Sequence, residues 1–216
     1  MRTKNLCYIA DIEPPDAGQN VCAAVRTDSA GMLQRLALVD VTFGFGKNHL
    51  PGHIAADIIR QTAASERNFS AAESITAGIM GGVRNMTSFG AIYMCGAKMC
   101  HVTTGDRVIG IVRDGKMVHG FRLGCIYNKG YCERIYHCTV RLRKNDTVLM
   151  YGSDIFDSDV SSYICSLVSM NIKRRSMGAA YKSNAEILDD IRCVLGLKGN
   201  RQVHSTLTLI TCVGDV

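Results

Sequence analysis

The residues of this chain best suited to chemistry are two aspartates that close apolar runs. Asp40 closes Leu36-Ala-Leu-Val-Asp40-Val41, and Asp154 closes Val148-Leu-Met-Tyr-Gly-Ser153-Asp154-Ile155. Such runs read as buried strands. A carboxylate at the tip of a buried strand is held rigidly, and its hard oxygens suit a divalent cation. The plainer reading is that both are strand-end turn residues whose carboxylates cap nearby backbone N–H groups.

The other reactive residue types are less organised. The ten cysteines contain no Cys-x-x-Cys pair, so they read as thiols in a reducing, cytoplasmic setting, most of them small core side chains rather than zinc ligands. His49, His53 and His101 read as structural or exposed. The Gly-x-Gly at Gly44 and Gly46 lacks the rest of a dinucleotide fingerprint. The formal charge of +6 is scattered, densest at Lys173-Arg174-Arg175 and at Arg141, Arg143 and Lys144. These are read as solvated faces, so no nucleic-acid partner is expected. No apolar stretch is long enough to span a bilayer, and the N-terminus is not a signal peptide, being broken by Asp11, so no membrane partner is expected.

The elements that position these residues can be read from pattern. At 216 residues, 47% hydrophobic and 20% charged, the chain can bury a large core as a single domain, 1–216. Strands are expected at 18–26 and 35–41, joined by the turn Asp28-Ser-Ala-Gly31. A helix with an apolar stripe begins near Gly52-His53, and a second runs from Ser70 to Val83, opened by a Ser-x-x-Glu capping box. Four short strands follow, at 88–94, 98–104, 108–113 and 116–121, punctuated by Cys95-Gly96, Gly105-Asp106 and Asp114-Gly115. They read as an antiparallel meander. One strand is expected at 134–140 and another at 147–151. Helices follow at 158–171 and from Ser183, capped by Glu186, to Gly196. A final strand covers 206–213. Segregated runs of this kind point to an α+β layered domain.

With this punctuation the chain resembles the metal-dependent serine/threonine phosphatases of the PP2C (PPM) family, from about residue 20 to 213. The closest stretch runs from Met86-Thr-Ser-Phe through Thr103-Thr-Gly105-Asp106-Arg107 to Val112-Arg-Asp-Gly115-Lys, similar to the family's "GDSR" and "RDGK" segments. Leu142-Arg-Lys-Asn-Asp146-Thr-Val-Leu-Met-Tyr-Gly-Ser153-Asp154 is similar to "LxxGDxLLLxSDG". The resemblance implies a four-layer α-β-β-α sandwich, two antiparallel sheets flanked by helix pairs. It also implies a dinuclear Mg²⁺ or Mn²⁺ centre that activates a bridging water and neutralises charge on the transferring phosphoryl group.

Mapped onto this chain, the resemblance puts Asp40 on the family's bridging "VADG" aspartate, the Val41 carbonyl on its backbone ligand, and Asp154 on the "SDG" aspartate. The glycine after each aspartate is replaced, by Val41 and by Ile155, and a β-branched residue resists conformations that glycine allows. The family's "GGH" survives as Gly52-His53. Its "RxxNED" is not found in Glu13-Pro-Pro-Asp16-Ala-Gly-Gln-Asn20-Val21, and its "DNxT" reads Val203-His204-Ser205-Thr206. A lone imidazole does not replace a carboxylate in a hard-cation site. The expectation is therefore a catalytically impaired pseudophosphatase that serves as a binding or regulatory module for a phosphoprotein or a kinase, with Mg²⁺, Mn²⁺ or no metal. The alternatives are an active phosphatase using Asp40, Asp154, the Val41 carbonyl and Asp16 or Asp157, and a structural subunit. The sequence specifies no oligomeric state.

Overall fold

The computed structural model describes residues 7–13, 19–27, 33–43, 86–104, 107–118, 122–128, 131–152, 158–197 and 207–213. In chain order these hold β1 (Cys7–Glu13), β2 (Gln19–Thr27), β3 (Leu33–Phe43), β4 (Met86–Cys95), β5 (Lys98–Thr104), β6 (Arg107–Arg113), β7 (Lys116–Val118), β8 (Arg122–Asn128), β9 (Tyr131–Arg141) and β10 (Thr147–Gly152). Then come α1 (Ser158–Ser176), α2 (Asn184–Leu197) and β11 (Leu207–Val213).

The strands are ordered β7-β6-β10-β11-β1-β3-β4-β5-β9-β8, with β2 against β3. All pairings are antiparallel, and β1 meets β3 through one residue pair, Tyr8 with Leu33. At that corner the path divides into two sheets, β7-β6-β10-β11-β1 and β2-β3-β4-β5-β9-β8. Their facing sides share one core, which includes Leu36, Leu38, Ile92, Met99, Ile111, Val148, Met150 and Ile210. The other side of the first sheet is covered by the helix pair. There Leu149, Tyr151 and Leu209 pack with Ile164 and Val168 of α1 and Ile187 and Ile191 of α2. Strand β10 is thus buried on both faces, which is why Val148 to Tyr151 is continuously apolar rather than alternating.

This is the expected α+β sandwich, with three of its four layers described. The two helices expected between residues 52 and 83 lie outside the described residues. No helix among the described residues is long and apolar enough to cross a membrane.

Four local expectations are corrected. The meander of four strands does not exist as one ladder. β4 pairs with β5 and β6 with β7, but β5 pairs onward with β9 and β6 with β10. The chain changes sheets between Thr104 and Arg107. The region after Gly124 holds two long strands, β8 and β9, paired as a hairpin. β1, which was not expected, pairs along its full length with β11. Helix α1 continues past Asn171 to Ser176, because the stop is Gly178, at φ +66°. Ala179 N–H donates to the Arg174 carbonyl (3.0 Å) and Gly178 N–H to that of Arg175 (3.2 Å), a Schellman closure.

Candidate functional site

The position of Asp40 follows from its neighbours in the sheet. In β3 it is paired with Val21 of β2 on one side and Gly90 of β4 on the other, and Gly90 is paired with Thr103 of β5. By strand alternation, position 40 falls on the same face of β3 as positions 36 and 38, which belong to the core between the sheets. One residue beyond Thr103, β5 ends at Thr104, and β6 starts at Arg107. Three Cα steps span at most about 11 Å, so Thr104 and Arg107 lie at the same end of the sandwich. Arg107 is paired with Gly152, the last residue of β10, two residues before Asp154. Topology therefore brings the Asp40 row and the exit of β10 to one end. The last residue of β1, Glu13, paired with Leu207, is at that end as well.

Val41 does not open a loop. β3 continues through it to Phe43, with Val41 paired to Asn20 and Phe89. A backbone flanked by strands on both sides commits its polar groups to the ladder. Asp154 itself lies outside the described residues, as do Asp16, His49, Gly52, His53, Gly105, Asp106, Asp157 and His204. His101 is described. It is buried on β5, opposite Ile92 and Cys138, as a structural histidine would be.

The fit to a dinuclear metal centre can be tested on this donor set. Two hard cations need several carboxylates converging on one point. The residues paired with Asp40 are Val21 and Gly90, neither of which can supply an oxygen from its side chain. Among the described residues no group of three or more His, Cys, Asp or Glu could hold a metal ion. The described donors do not make up a two-metal shell.

The opposite end of the sandwich carries the best-defined polar cluster. Asp146, 2% exposed, accepts from Arg113 Nε (2.9 Å), Arg113 Nη2 (2.6 Å) and the Arg143 backbone N–H (2.8 Å). Arg113 also donates to the Arg141 carbonyl (3.1 Å). The backbone around Asp146 is tied to β11: Cys212 N–H donates to the Asp146 carbonyl and Asn145 N–H to the Cys212 carbonyl, both at 2.8 Å. The hydrogen bond to Asp146 raises the guanidinium pKa of Arg113, and burial, with the nearby Asp146 charge, pushes the Cys212 thiol well above its ordinary range. So the arginine of the "RDGK"-like segment and the aspartate of the "LxxGDxLLL"-like segment, some thirty residues apart in sequence, form one bidentate pair. Their work is to brace β6, β9, β10 and β11.

Comparison with known proteins decides the fold. A serine/threonine phosphatase from S. agalactiae superposes with a TM-score of 0.58 at 12% identity, covering 95% of this chain and 98% of that one. The fold is that of the PP2C phosphatases. The catalytic domain of the serine/threonine phosphatase PstP, solved with two manganese ions, gives a TM-score of 0.59 at 16% identity, covering 98% of this chain and all of that one. The phosphatase domain of the Bacillus subtilis cell fate determinant SpoIIE gives 0.58 at 13%, covering 99% and 95%. No protein-family model matches the sequence, and no curated protein matches it. Sequence reading placed Asp40 on a strand, and β3 contains it. It gave no strand at β1, because the short apolar run there is interrupted by Asp11.

Proposed function

We propose that this chain is a pseudophosphatase: a PP2C-fold domain that has lost its dinuclear centre and works as a binding module in phospho-signalling. The observation that carries this reading is the unbroken course of β3 through Asp40 and Val41, flanked by Val21 and Gly90. A metal-binding loop needs a free carbonyl after the aspartate and further carboxylates beside it. Here the carbonyl belongs to a two-sided ladder and the neighbours are apolar. The family's "DNxT" reads Val203-His204-Ser205-Thr206 here, with Val203 at the position of the aspartate, which supports the same reading. Two of the similar structures come from regulatory systems, the Bacillus subtilis cell fate determinant SpoIIE and the bacterial stressosome. The partner class proposed on that basis is a phosphoprotein or its kinase, with Mg²⁺ or Mn²⁺ dispensable for binding.

A second reading has one observation in its favour. Glu13 stands at the same end of the sandwich as Asp40 and the exit toward Asp154. Three carboxylates there would support a divergent Mg²⁺- or Mn²⁺-dependent phosphoserine and phosphothreonine phosphatase, with Asp40, Asp154 and the Val41 carbonyl as ligands. Hydrolysis of a phosphothreonine peptide in saturating Mn²⁺ separates the two. The pseudophosphatase reading expects turnover no higher than that of an Asp40→Asn, Asp154→Asn variant. Turnover that depends on Mn²⁺ and disappears in the variant would establish the second reading instead.

A further inference from the structure

The loop between α1 and α2 carries the two most exposed large apolar side chains among the described residues, Met177 (71%) and Tyr181 (53%). Every residue from Ser176 to Tyr181 is exposed, so these groups stand out on a turn. Large apolar groups gathered on one exposed turn, rather than scattered singly, mark an interaction site. Arg175 lies over the Tyr181 ring, 5.4 Å from its centroid, and holds it at the base of the loop.

Exposed cations share this end of the sandwich, the one opposite Asp40. Lys173 and Arg174 are in the last turn of α1. Asn145, in the turn before β10, lines one cavity with Arg175 and Tyr181, which brings the exposed Arg143 and Lys144 to the same end. Lys98 and Arg141, also exposed, are paired across β5 and β9 where Leu142 N–H meets the Ala97 carbonyl. The two basic clusters that read as separate solvated faces in the sequence are therefore gathered by the fold. Three of the described carboxylates nearby are engaged: Asp146 with Arg113, Glu186 with Ser183, and Asp190 with Lys182. Of the other two, Asp114 shares its hairpin with Lys116, and Asp189 is in the second turn of α2.

The six cations are distributed over the second sheet, the turn that crosses to the first, and the helix layer, and such layers pack about 10 Å apart. A small anion meets only part of that array, whereas an extended anionic surface meets all of it. We propose that this end of the sandwich docks on an anionic lipid bilayer. Met177 and Tyr181 enter the headgroup region, and the lysines and arginines pair with lipid phosphates and carboxylates at the level where such side chains are favoured. The expectation of no membrane partner rested on the lack of a spanning segment or signal peptide, and a surface contact needs neither. The Asp40 end then faces away from the bilayer, so docking is independent of the phosphatase reading and of any metal.

The test is flotation of the full chain with vesicles of phosphatidylcholine alone and of phosphatidylcholine mixed with phosphatidylserine. Binding is expected only to the mixed vesicles, falling as salt is raised. The double variant Lys173→Gln, Arg174→Gln should lower the partition about fivefold for each cation removed, and Met177→Gln about fivefold with no change in charge. These side chains are exposed, so the variants keep the fold, as far-UV circular dichroism confirms. The chain has no tryptophan, so Met177→Trp supplies a single reporter, whose emission should shift to the blue on mixed vesicles. Failure to bind mixed vesicles, equal binding to both kinds, or binding that none of these variants alters overturns the proposal. Binding matched by soluble polyglutamate, with no blue shift on vesicles, makes an acidic protein segment the occupant and overturns it too.

Discussion

The Asp146 cluster is where a single substitution should cost the fold most for a stated reason. Asp146→Ala removes a carboxylate that is 2% exposed and accepts three hydrogen bonds, two from the Arg113 guanidinium and one from the Arg143 N–H. Breaking a buried ion pair from one side costs about 3–5 kcal/mol, because the other charge is left uncompensated. Arg113 is 19% exposed, so water reaches the abandoned guanidinium and reduces that cost. The expected loss is about 3 kcal/mol in urea unfolding, or a fall in Tm of roughly 6–12 °C for a domain of this size. Arg113→Met strands the more deeply buried partner and should cost at least as much. The double variant should lose less than the sum of the two, with a coupling of about 1–3 kcal/mol. Because the pair is shielded, raising the salt from low to high concentration should change these values little. A loss below about 1 kcal/mol for Asp146→Ala, or a coupling near zero, would refute the claim that this pair braces the sandwich.

Three further outcomes are expected. Gly115, at φ +77°, follows Asp114 at φ +50° in the β6–β7 hairpin, and a Cβ there would stand 3.3 Å from Ser169 Oγ. Gly115→Ala should destabilise by about 1–2 kcal/mol in urea unfolding, and an unchanged midpoint would contradict that strain. The Glu186 carboxylate accepts the Ser183 N–H (2.7 Å) and hydroxyl (2.9 Å), and these hold its pKa below the ordinary glutamate range. Its cap on α2 is therefore in full effect above the unfolded value of about 4.3 and is lost as pH falls through the lower folded value. Carboxyl NMR should give a midpoint below that of a free glutamate, and one at or above it would contradict the capping box. Among the described cysteines, Cys193 is exposed, whereas Cys100, Cys165 and Cys212 are buried, the last two with thiols pushed up by burial. Native labelling at pH 8 should modify Cys193 and spare these three until the chain is unfolded. Their modification at a similar rate would mean that the core opens.

Much of this architecture is legible from local chemistry. Asp114-Gly115 announced a hairpin, and both residues adopt the left-handed conformation such a turn requires. Ser183 and Glu186 announced the start of α2 and form a reciprocal cap. What local pattern does not contain is the identity of a strand's partner. Turn signals after Thr104 look the same whether the next strand stays in the sheet or crosses to the other one, so the four expected strands were read as one meander. The end of α1 was misplaced for a similar reason. Lys173 to Arg175 read as a solvated basic cluster beyond the helix, although cations in the last turn of a helix are favoured by its dipole. At the candidate site, the apolar run marked Asp40 as a strand residue. That β3 continues past it, between Val21 and Gly90, depends on pairing with β2 and β4 and is invisible in the run itself.

The central claim is that the Asp40 end no longer holds two divalent cations. Calorimetric titration of the full chain with Mn²⁺, beside the Asp40→Asn, Asp154→Asn variant, tests it most directly. The account predicts that the two proteins give the same weak, unsaturated heats. Tight, saturable binding near two ions per chain that is lost in the variant would contradict it.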